Sequence, residues 1–368
     1  MRFPEFSGEW KMCTIGELTT KVGSGVTPRG GEAVYKTEGH PFVRSQNVGL
    51  GNLLLDDIAF IDEETHLRQK STELQFNDVL LNITGASIGR SALVDKQIVG
   101  GNVNQHVCII RTKENLVPSF ICSFLLSNYG QRQIDSFQAG GNRQGLNFEQ
   151  IKSIKITIPS KDEQIKIAKL LRAIDERIAT QNKIIDKLQS LIKGIAQNVA
   201  RNNKPNIRLS ECLECSSSTL QESDVCKNGT YPVYGANGIV GYLDNYNTEK
   251  EAVYIIKDGS GVGTVSYVTG KCSATGTLNT LQAKEGYSLQ YLYYMLKVFN
   301  FEPYKTGMAI PHIYFKDYSK AKIFCPSYTE QLKYARLLSA IDNKLSAEQS
   351  ILTDLSLQKQ YLLRQMFI

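Results

Sequence analysis

The chain has 368 residues, of which 42% are hydrophobic, and carries a formal net charge of +6. This length predicts two or three domains, and without an apolar run of 18 residues no segment is predicted to span a membrane. Residues 1–158 hold 16 basic and 16 acidic side chains, and residues 205–325 hold 11 of each. Residues 159–204, between them, hold 10 basic and 5 acidic side chains. The charge of the two neutral segments therefore does not by itself predict nucleic-acid binding. A few suitably positioned side chains can still read bases if a partner protein contacts the phosphates.

The eight cysteines are scattered, and the N-terminal residues contain no apolar segment of the signal-peptide type. The sequence therefore predicts a cytoplasmic chain with reduced thiols. Cys212 and Cys215 have the spacing of half a zinc site, but no second pair follows and the four histidines lie elsewhere. We predict two ordinary thiols and no metal at this place.

The first segment, residues 1–158, alternates short apolar runs with glycine-rich turns. The runs "DVLLNI" (residues 78–83) and "HVCIIRT" (residues 106–112) are typical of strands, and "SFICSFLLSNYGQRQI" (residues 119–134) is typical of short helices. A mixed α/β domain is the predicted outcome.

Residues 159–204 are predicted to form a long helix with a heptad pattern. Acidic residues in its first turn suit a helix start, and "RNNKP" predicts its end. About 40 residues would make a rod of roughly 60 Å. Its seam, with the spacing of helix pairing over four heptads, contains Leu171, Ile174, Ile178, Ile185, Leu188, Ile192, Ile195 and Val199, interrupted by Gln181.

The second segment, residues 205–325, weakly echoes the first. Its runs "AVYIIK" (residues 252–257) and "GTVSYV" (residues 263–268) predict strands, and "SLQYLYYMLKVF" (residues 288–299) predicts a helix. Gly259 and Gly263 align with Gly85 and Gly89 at an offset of 174. A second mixed α/β domain, diverged from the first, is therefore predicted.

The last segment, residues 326–368, repeats the opening of the first long helix. "PSKDEQIKIAKLLRAID" from Pro159 and "PSYTEQLKYARLLSAID" from Pro326 share 11 of 17 positions without a gap. The seam returns, with a polar interruption at Glu348 and a weak point at Lys359. It contains Leu338, Ile341, Leu345, Leu352, Leu355 and Leu362. Two matched helices that pair as an antiparallel coiled coil explain this better than two unrelated amphipathic helices on separate cores. The predicted fold class is α+β, with two globular domains, two long helices and a pseudo-two-fold internal repeat.

Enzyme motifs are missing from the sequence. The glycine-rich runs "GSGVTPRGG" and "DGSGVGT" match neither a P-loop nor a dinucleotide-binding fingerprint, and no Gly-x-Ser-x-Gly or His-Glu-x-x-His motif occurs. We therefore expect no catalysis by this chain alone and no bound cofactor.

Glycine-rich loops of both domains instead carry arginine, amide and hydroxyl side chains suited to base edges. Arginine pairs with guanine, and asparagine or glutamine with adenine. A solvated turn is the alternative for each loop taken singly. The candidates in the first domain are Arg29, Arg44, Ser45, Gln46, Asn47, Thr84, Ser87, Arg90, Asn104, Gln105, His106, Arg143 and Gln144. The candidates in the second domain are Tyr234, Asn237, Lys257, Ser260, Lys305 and His312.

With both "PS…EQ" openings and the runs "GELTTKVGSGVTP", "PFVRSQNVG" and "GGNRQGLNFEQIKSIKI", the chain resembles the specificity subunit of type I restriction-modification systems over its full length. The resemblance implies target-recognition domains at residues 1–158 and 205–325, and spacer helices at residues 159–204 and 326–368. It also implies a non-catalytic reader in which each domain reads one half of a bipartite, asymmetric site on double-stranded DNA.

The same resemblance implies that the helices set the unspecified gap and dock two modification (methyltransferase) subunits. Those partners would carry S-adenosylmethionine, and restriction (motor-nuclease) subunits would add ATP- and Mg²⁺-dependent cleavage. Three alternatives stay open: a stand-alone DNA-binding regulator, a subunit of a type II-like enzyme that cuts and modifies, and a scaffold without nucleic acid.

Overall fold

The computed structural model describes residues 2–138, 145–307 and 309–367. The chain divides into two units, one comprising Met1–Gln181 with Ile351–Ile368 and the other Asn182–Ser350. Each unit therefore contains one globular part and a portion of each long helix.

The globular part of the first unit is a run of short strands and helices. Its strands are β1 (Lys11–Thr14), β2 (Thr19–Ser24), β3 (His40–Val43), β4 (Ala59–Ile61), β5 (Val79–Asn82), β6 (Ser91–Leu93), β7 (Asn102–Val103), β8 (Val107–Thr112) and β9 (Lys155–Ile158). Its helices are α1 (Glu63–Arg68), α2 (Pro118–Leu126), α3 (Asn128–Ser136) and α4 (Phe148–Ser153). The first long helix, α5 (Lys161–Arg201), follows and ends where the sequence predicts.

The globular part of the second unit repeats this plan. Its strands are β10 (Ile207–Arg208), β11 (Leu213–Ser217), β12 (Tyr231–Gly235), β13 (Gly238–Leu243), β14 (Glu251–Ile256), β15 (Val265–Thr269), β16 (Ser273–Ala274), β17 (Leu278–Ala283) and β18 (Lys322–Ile323). Its helices are α6 (Leu209–Cys212), α7 (Leu289–Lys297) and α8 (Phe315–Tyr318). The second long helix is α9 (Tyr328–Gln365).

The sheets of the two units have the same topology. The first unit has sheets ordered β2-β8-β5-β6, β4-β3-β7 and β1-β9, and the second has β11-β17-β14-β15, β13-β12-β16 and β10-β18. In both three-stranded sheets the central strand pairs in parallel with the last strand, β3 with β7 and β12 with β16. The predicted internal repeat is thus confirmed strand by strand.

The four-stranded sheet of the first unit is buried on both faces. Val79 and Leu81 of β5 point into the core beneath α2, whereas Leu80 belongs to a second core with Val43 and Val103. Successive strand residues face opposite sides of a sheet, so a strand covered on both faces is a continuous apolar run. This explains why "DVLLNI" lacks a polar alternation.

Each unit pairs one portion of α5 with one portion of α9. In the first unit Leu171 of α5 shares a core with Leu362 of α9 and with Phe367, which follows the end of that helix. In the second unit Ile192 of α5 lines a groove of about 430 Å³ together with Leu345 of α9. Early residues of α5 thus meet the end of α9, and late residues of α5 meet its first half, so the predicted antiparallel pairing is confirmed.

The predicted seam positions are buried or half-buried in each helix. Fully buried are Leu171, Ile174, Ile185, Leu338, Leu345 and Leu355. Half-buried are Ile178, Leu188, Ile341 and Leu352. At the weak point, Lys359 Nζ lies 2.6 Å from Asp175 Oδ1 of α5 and 3.4 Å from the Leu50 carbonyl oxygen. An ion pair therefore takes the place of an apolar contact there.

A glutamine in the repeated opening joins each long helix to its globular part. Gln164 Oε1 accepts the Val117 backbone N–H at 2.9 Å, and its Nε2 donates to the Pro159 carbonyl oxygen at 3.1 Å. Gln331 repeats this geometry, accepting the N–H of the residue before α7 at 2.9 Å and donating to the Pro326 carbonyl oxygen at 2.9 Å. Both glutamines are buried, so the repeated "EQ" has a structural role within each unit.

All eight cysteines are free thiols. Within residues 2–138, 145–307 and 309–367, no three histidine, cysteine or acidic side chains are grouped so as to hold a metal. In the same ranges no helix is long and apolar enough to cross a membrane.

Candidate nucleic-acid interface

Loops at one edge of a four-stranded sheet carry several of the predicted base-reading residues, namely Thr84, Ser87, Arg90, Asn104, Gln105, His106, Lys257 and Ser260. In the first unit β2 and β5 end at the edge where β8 and β6 begin, because neighbouring strands are antiparallel. In the second unit β11 and β14 end at the corresponding edge, where β17 and β15 begin. Loops that are far apart in sequence are thereby brought together at this edge, which we call the recognition edge of each unit.

The turn after the central strand β5 or β14 has the same backbone in both units. Gly85 and Gly89 have φ angles of +71° and +84°, and Gly259 and Gly263 have φ angles of +94° and +90°. Only glycine adopts this left-handed region readily. The glycine alignment at an offset of 174 therefore reflects one conserved turn.

A second loop reaches each turn through an isolated backbone bridge. Thr84 bridges to Gly145 in the first unit, and Asp258 bridges to His312 in the second. A further backbone hydrogen bond is shared by the two units. The His106 carbonyl oxygen accepts the N–H of residue 83 at 3.0 Å, and the Thr277 carbonyl oxygen accepts the N–H of residue 257 at 3.0 Å. Equivalent backbone positions therefore carry different residues in the two units. Thr84 corresponds to Asp258, Gly145 to His312, and His106 to Thr277.

The side chains at the first recognition edge form a polar network. Thr84 Oγ1 and His106 Nδ1 are 2.6 Å apart. Asn104 is buried, and its Oδ1 accepts the His106 N–H at 3.0 Å. Gln105 is exposed, and its Oε1 accepts the Thr27 N–H at 3.3 Å. Gln105 is therefore exposed and His106 half-buried on a loop that Asn104 holds in place.

A neighbouring loop is organised around Asp57. Arg44 donates to the Asp57 carbonyl oxygen at 2.6 Å and approaches its Oδ2 at 3.3 Å, and Gln46 also donates to this carboxylate. Asn47 is 0% exposed, and its Nδ2 donates to Asp57 Oδ1 at 2.9 Å. The guanidinium of Arg44 also lies 5.4 Å from the ring centre of Tyr35. Asn47 thus has a structural role, and Asp57 sets the geometry of Arg44 and Gln46.

The other first-unit candidates differ in accessibility. Ser45 and Ser87 both accept from Asn82 Nδ2, at 2.8 Å through the Ser45 carbonyl and at 3.1 Å through the Ser87 hydroxyl. Arg29 and Arg90 are exposed. Two further candidates, Arg143 and Gln144, lie outside the described residues.

The second recognition edge carries a different set of side chains. His312 Nδ1 lies 2.7 Å from Asp258 Oδ1. Lys257 is half-buried and Ser260 is exposed in the same turn. Lys305, in the segment that leads to His312, pairs with a neighbouring glutamate at 2.6 Å.

Two candidates lie on the hairpin of β12 and β13. Asn237 is exposed at the turn before Gly238, whose φ is +102°. Tyr234 packs against Tyr254 with ring centres 5.8 Å apart, and burial raises the pKa of the Tyr234 hydroxyl. The hydroxyl therefore keeps its proton at neutral pH and can act as a donor.

Sequence reasoning missed the two aspartates that organise these loops, Asp57 and Asp258. Asp57 contacts residues 10 to 13 positions away, and Asp258 contacts a residue 54 positions away. The only local signal for Asp258 is its place directly before the glycine turn.

Comparisons with known proteins agree with this architecture. The family model described as "Type I restriction modification DNA specificity domain" matches residues 7–190 and 205–356. A putative type I specificity subunit of Mycoplasma genitalium is 25% identical over 320 residues, which is 79% of this chain and 81% of that protein. The specificity subunit of the Escherichia coli K12 enzyme EcoKI is 23% identical over 202 residues, which is 52% of this chain and 41% of that protein.

Solved structures share the fold. The crystal structure of a type I restriction-modification S subunit from M. genitalium superposes with a TM-score of 0.69 at 18% identity, covering 100% of this chain and 99% of the other. Both family matches coincide with the two repeats of strand order. The chain belongs to the family of type I restriction-modification DNA specificity domains.

Proposed function

We propose that this chain is the DNA-reading subunit of a type I restriction-modification complex, and that each recognition edge reads one half of a bipartite, asymmetric site. One observation carries the proposal: the two edges share a backbone turn and present different side chains at its equivalent positions. A shared backbone would place both edges against DNA in the same way, whereas different side chains would select different bases.

The partners follow from the same proposal. Residues 1–158 and 205–325 each hold as many acidic as basic side chains, so phosphate contacts would come in part from two modification subunits that dock on the paired helices. Those subunits would carry out methyl transfer, and restriction subunits would add cleavage. The chain itself contributes sequence recognition, which agrees with the absence of catalytic motifs from its sequence.

Variants at the two edges test the proposal. The full chain, in complex with its modification subunit, would select binding sites from a pool of randomised DNA duplexes, followed by sequencing. Arg90→Ala removes an exposed guanidinium from the first edge, and we expect it to relax one position of one half-site by about 1–3 kcal/mol. Lys257→Ala should change only the other half-site. Effects of either variant on both half-sites would contradict the assignment of one half-site to each unit.

A further inference from the structure

The glycine turn after β14, at the recognition edge of the second unit, contains one carboxylate, that of Asp258. Its side chain is 36% exposed, and it directly precedes Gly259 in the turn after β14. A carboxylate repels DNA phosphates, so a carboxylate at an edge that faces DNA needs a favourable contact that offsets this repulsion. The donors that base edges offer to a carboxylate in the major groove are the exocyclic amino groups, N4 of cytosine and N6 of adenine.

Asp258 is held in place from a distant segment. His312 Nδ1 lies 2.7 Å from Asp258 Oδ1, and the Gly259 N–H donates to the Pro311 carbonyl oxygen at 2.9 Å. Among the residues that the structure describes, no hydrogen bond engages Asp258 Oδ2. One carboxylate oxygen thus fixes the side chain, and the other is available to a ligand.

The first unit has no such group at the equivalent position. Thr84 stands there, with its hydroxyl 2.6 Å from His106 Nδ1. A threonine hydroxyl can donate or accept, whereas an ionised carboxylate only accepts. The turn of the second unit therefore imposes a requirement for a donor that the turn of the first unit does not impose.

From these contacts we infer that Asp258 determines specificity by accepting a hydrogen bond from the exocyclic amino group of one base, cytosine or adenine, in the half-site read by the second unit. His312 positions the carboxylate. This inference rests on the proposed function, since it needs the second edge to face DNA.

Site selection from randomised duplexes, with the full chain in its complex, tests the inference. We expect the wild-type complex to restrict one position of the second half-site to a single amino-bearing base, and the selected sequence identifies it as cytosine or adenine. Asp258→Asn keeps an oxygen for His312 and adds an amide donor that suits the keto oxygens of guanine and thymine. At this position alone, discrimination should fall about tenfold.

Asp244→Asn is the matched control, because it removes the same charge from an exposed carboxylate at the base of the β12–β13 hairpin, where Asp244 Oδ1 accepts from Thr230. It should select the wild-type site. Asp258→Thr is the second variant, since the equivalent turn already accommodates Thr84. An unchanged first half-site, together with unchanged discrimination at the other positions of the second half-site, shows that each variant complex is folded.

If both Asp258 variants select the wild-type second half-site, the inference is overturned while the proposed function stands. If the wild-type complex selects no bipartite site, the proposed function fails and the inference fails with it.

Discussion

At the scale of single residues, the repeated helix opening combines buried and exposed positions with different tasks. Gln164 and Gln331 each connect the start of a long helix to the residue that precedes a short helix of the same unit. Asp175 and Asp342, also identical in the repeat, have diverged in their contacts, one to Lys359 and the other to the Tyr294 hydroxyl. Part of the repeated sequence is therefore explained by contacts inside each unit.

Replacing Gln164 with leucine should destabilise the first unit. The change removes the acceptor of the Val117 N–H and the donor to the Pro159 carbonyl, and it leaves buried backbone groups without partners. Each such group costs about 1–3 kcal/mol, so we expect a loss of about 2–4 kcal/mol in the free energy of unfolding, measured by urea titration with circular dichroism. The control is Gln75→Leu at an exposed position. Equal stability of the two variants would show that the Gln164 hydrogen bonds contribute nothing.

Thiol reactivity provides a second test at this scale. Burial raises the pKa of Cys108 and of Cys212 to about 12, and of Cys122 and Cys325 to about 11. A raised pKa keeps these thiols protonated at pH 8, and the thiolate is the reactive species.

Cys226 is the exposed cysteine, so a disulfide reagent at pH 8 should label one thiol about a hundredfold faster than the others. Cys226→Ser should remove this fast phase. Rapid labelling of several thiols in the folded wild-type chain would contradict the burial of Cys13, Cys108, Cys122, Cys212, Cys272 and Cys325.

At the scale of elements, the heptad seam and the strands were predictable because both depend on local periodicity. The glycine turn was predictable as well, because a backbone position with positive φ favours glycine, and glycine therefore occurs at the same two positions of the turn in both units. The roles of Asn47 and Asn104 were not predictable, because sequence does not show whether a loop amide faces solvent or its own backbone. Asp57 and Asp258 were missed for the related reason that their partners come from other segments.

Two neighbouring leucines of α9 test the seam. Leu338 is 0% exposed and Leu337 is 50% exposed. Truncating a buried leucine to alanine costs about 2–5 kcal/mol, so Leu338→Ala should lower the free energy of unfolding by this amount. Leu337→Ala should change it by less than about 1 kcal/mol. Thermal and urea unfolding of both variants check the prediction, and an equal cost at the two positions would contradict the assignment of the seam.

At the scale of the whole molecule, both long helices run through both units, since α5 passes from one unit to the other after Gln181 and α9 does so after Ser350. The proposed function gives this pair of helices the task of setting the gap between two half-sites. Under that proposal, helix length and base recognition are separable properties of the chain.

The most direct test of this account lengthens both helices together. One heptad inserted after Gln181 and one after Ser350 would preserve the seam and add about 10 Å of helix, which corresponds to about three base pairs at 3.4 Å each. Genome-wide mapping of methylated sites, in cells carrying the chain with its modification subunit, would compare this variant with the wild type. We predict the same two unlike half-sites separated by about three more unspecified base pairs. An unchanged gap, or altered half-site sequences, would contradict the account.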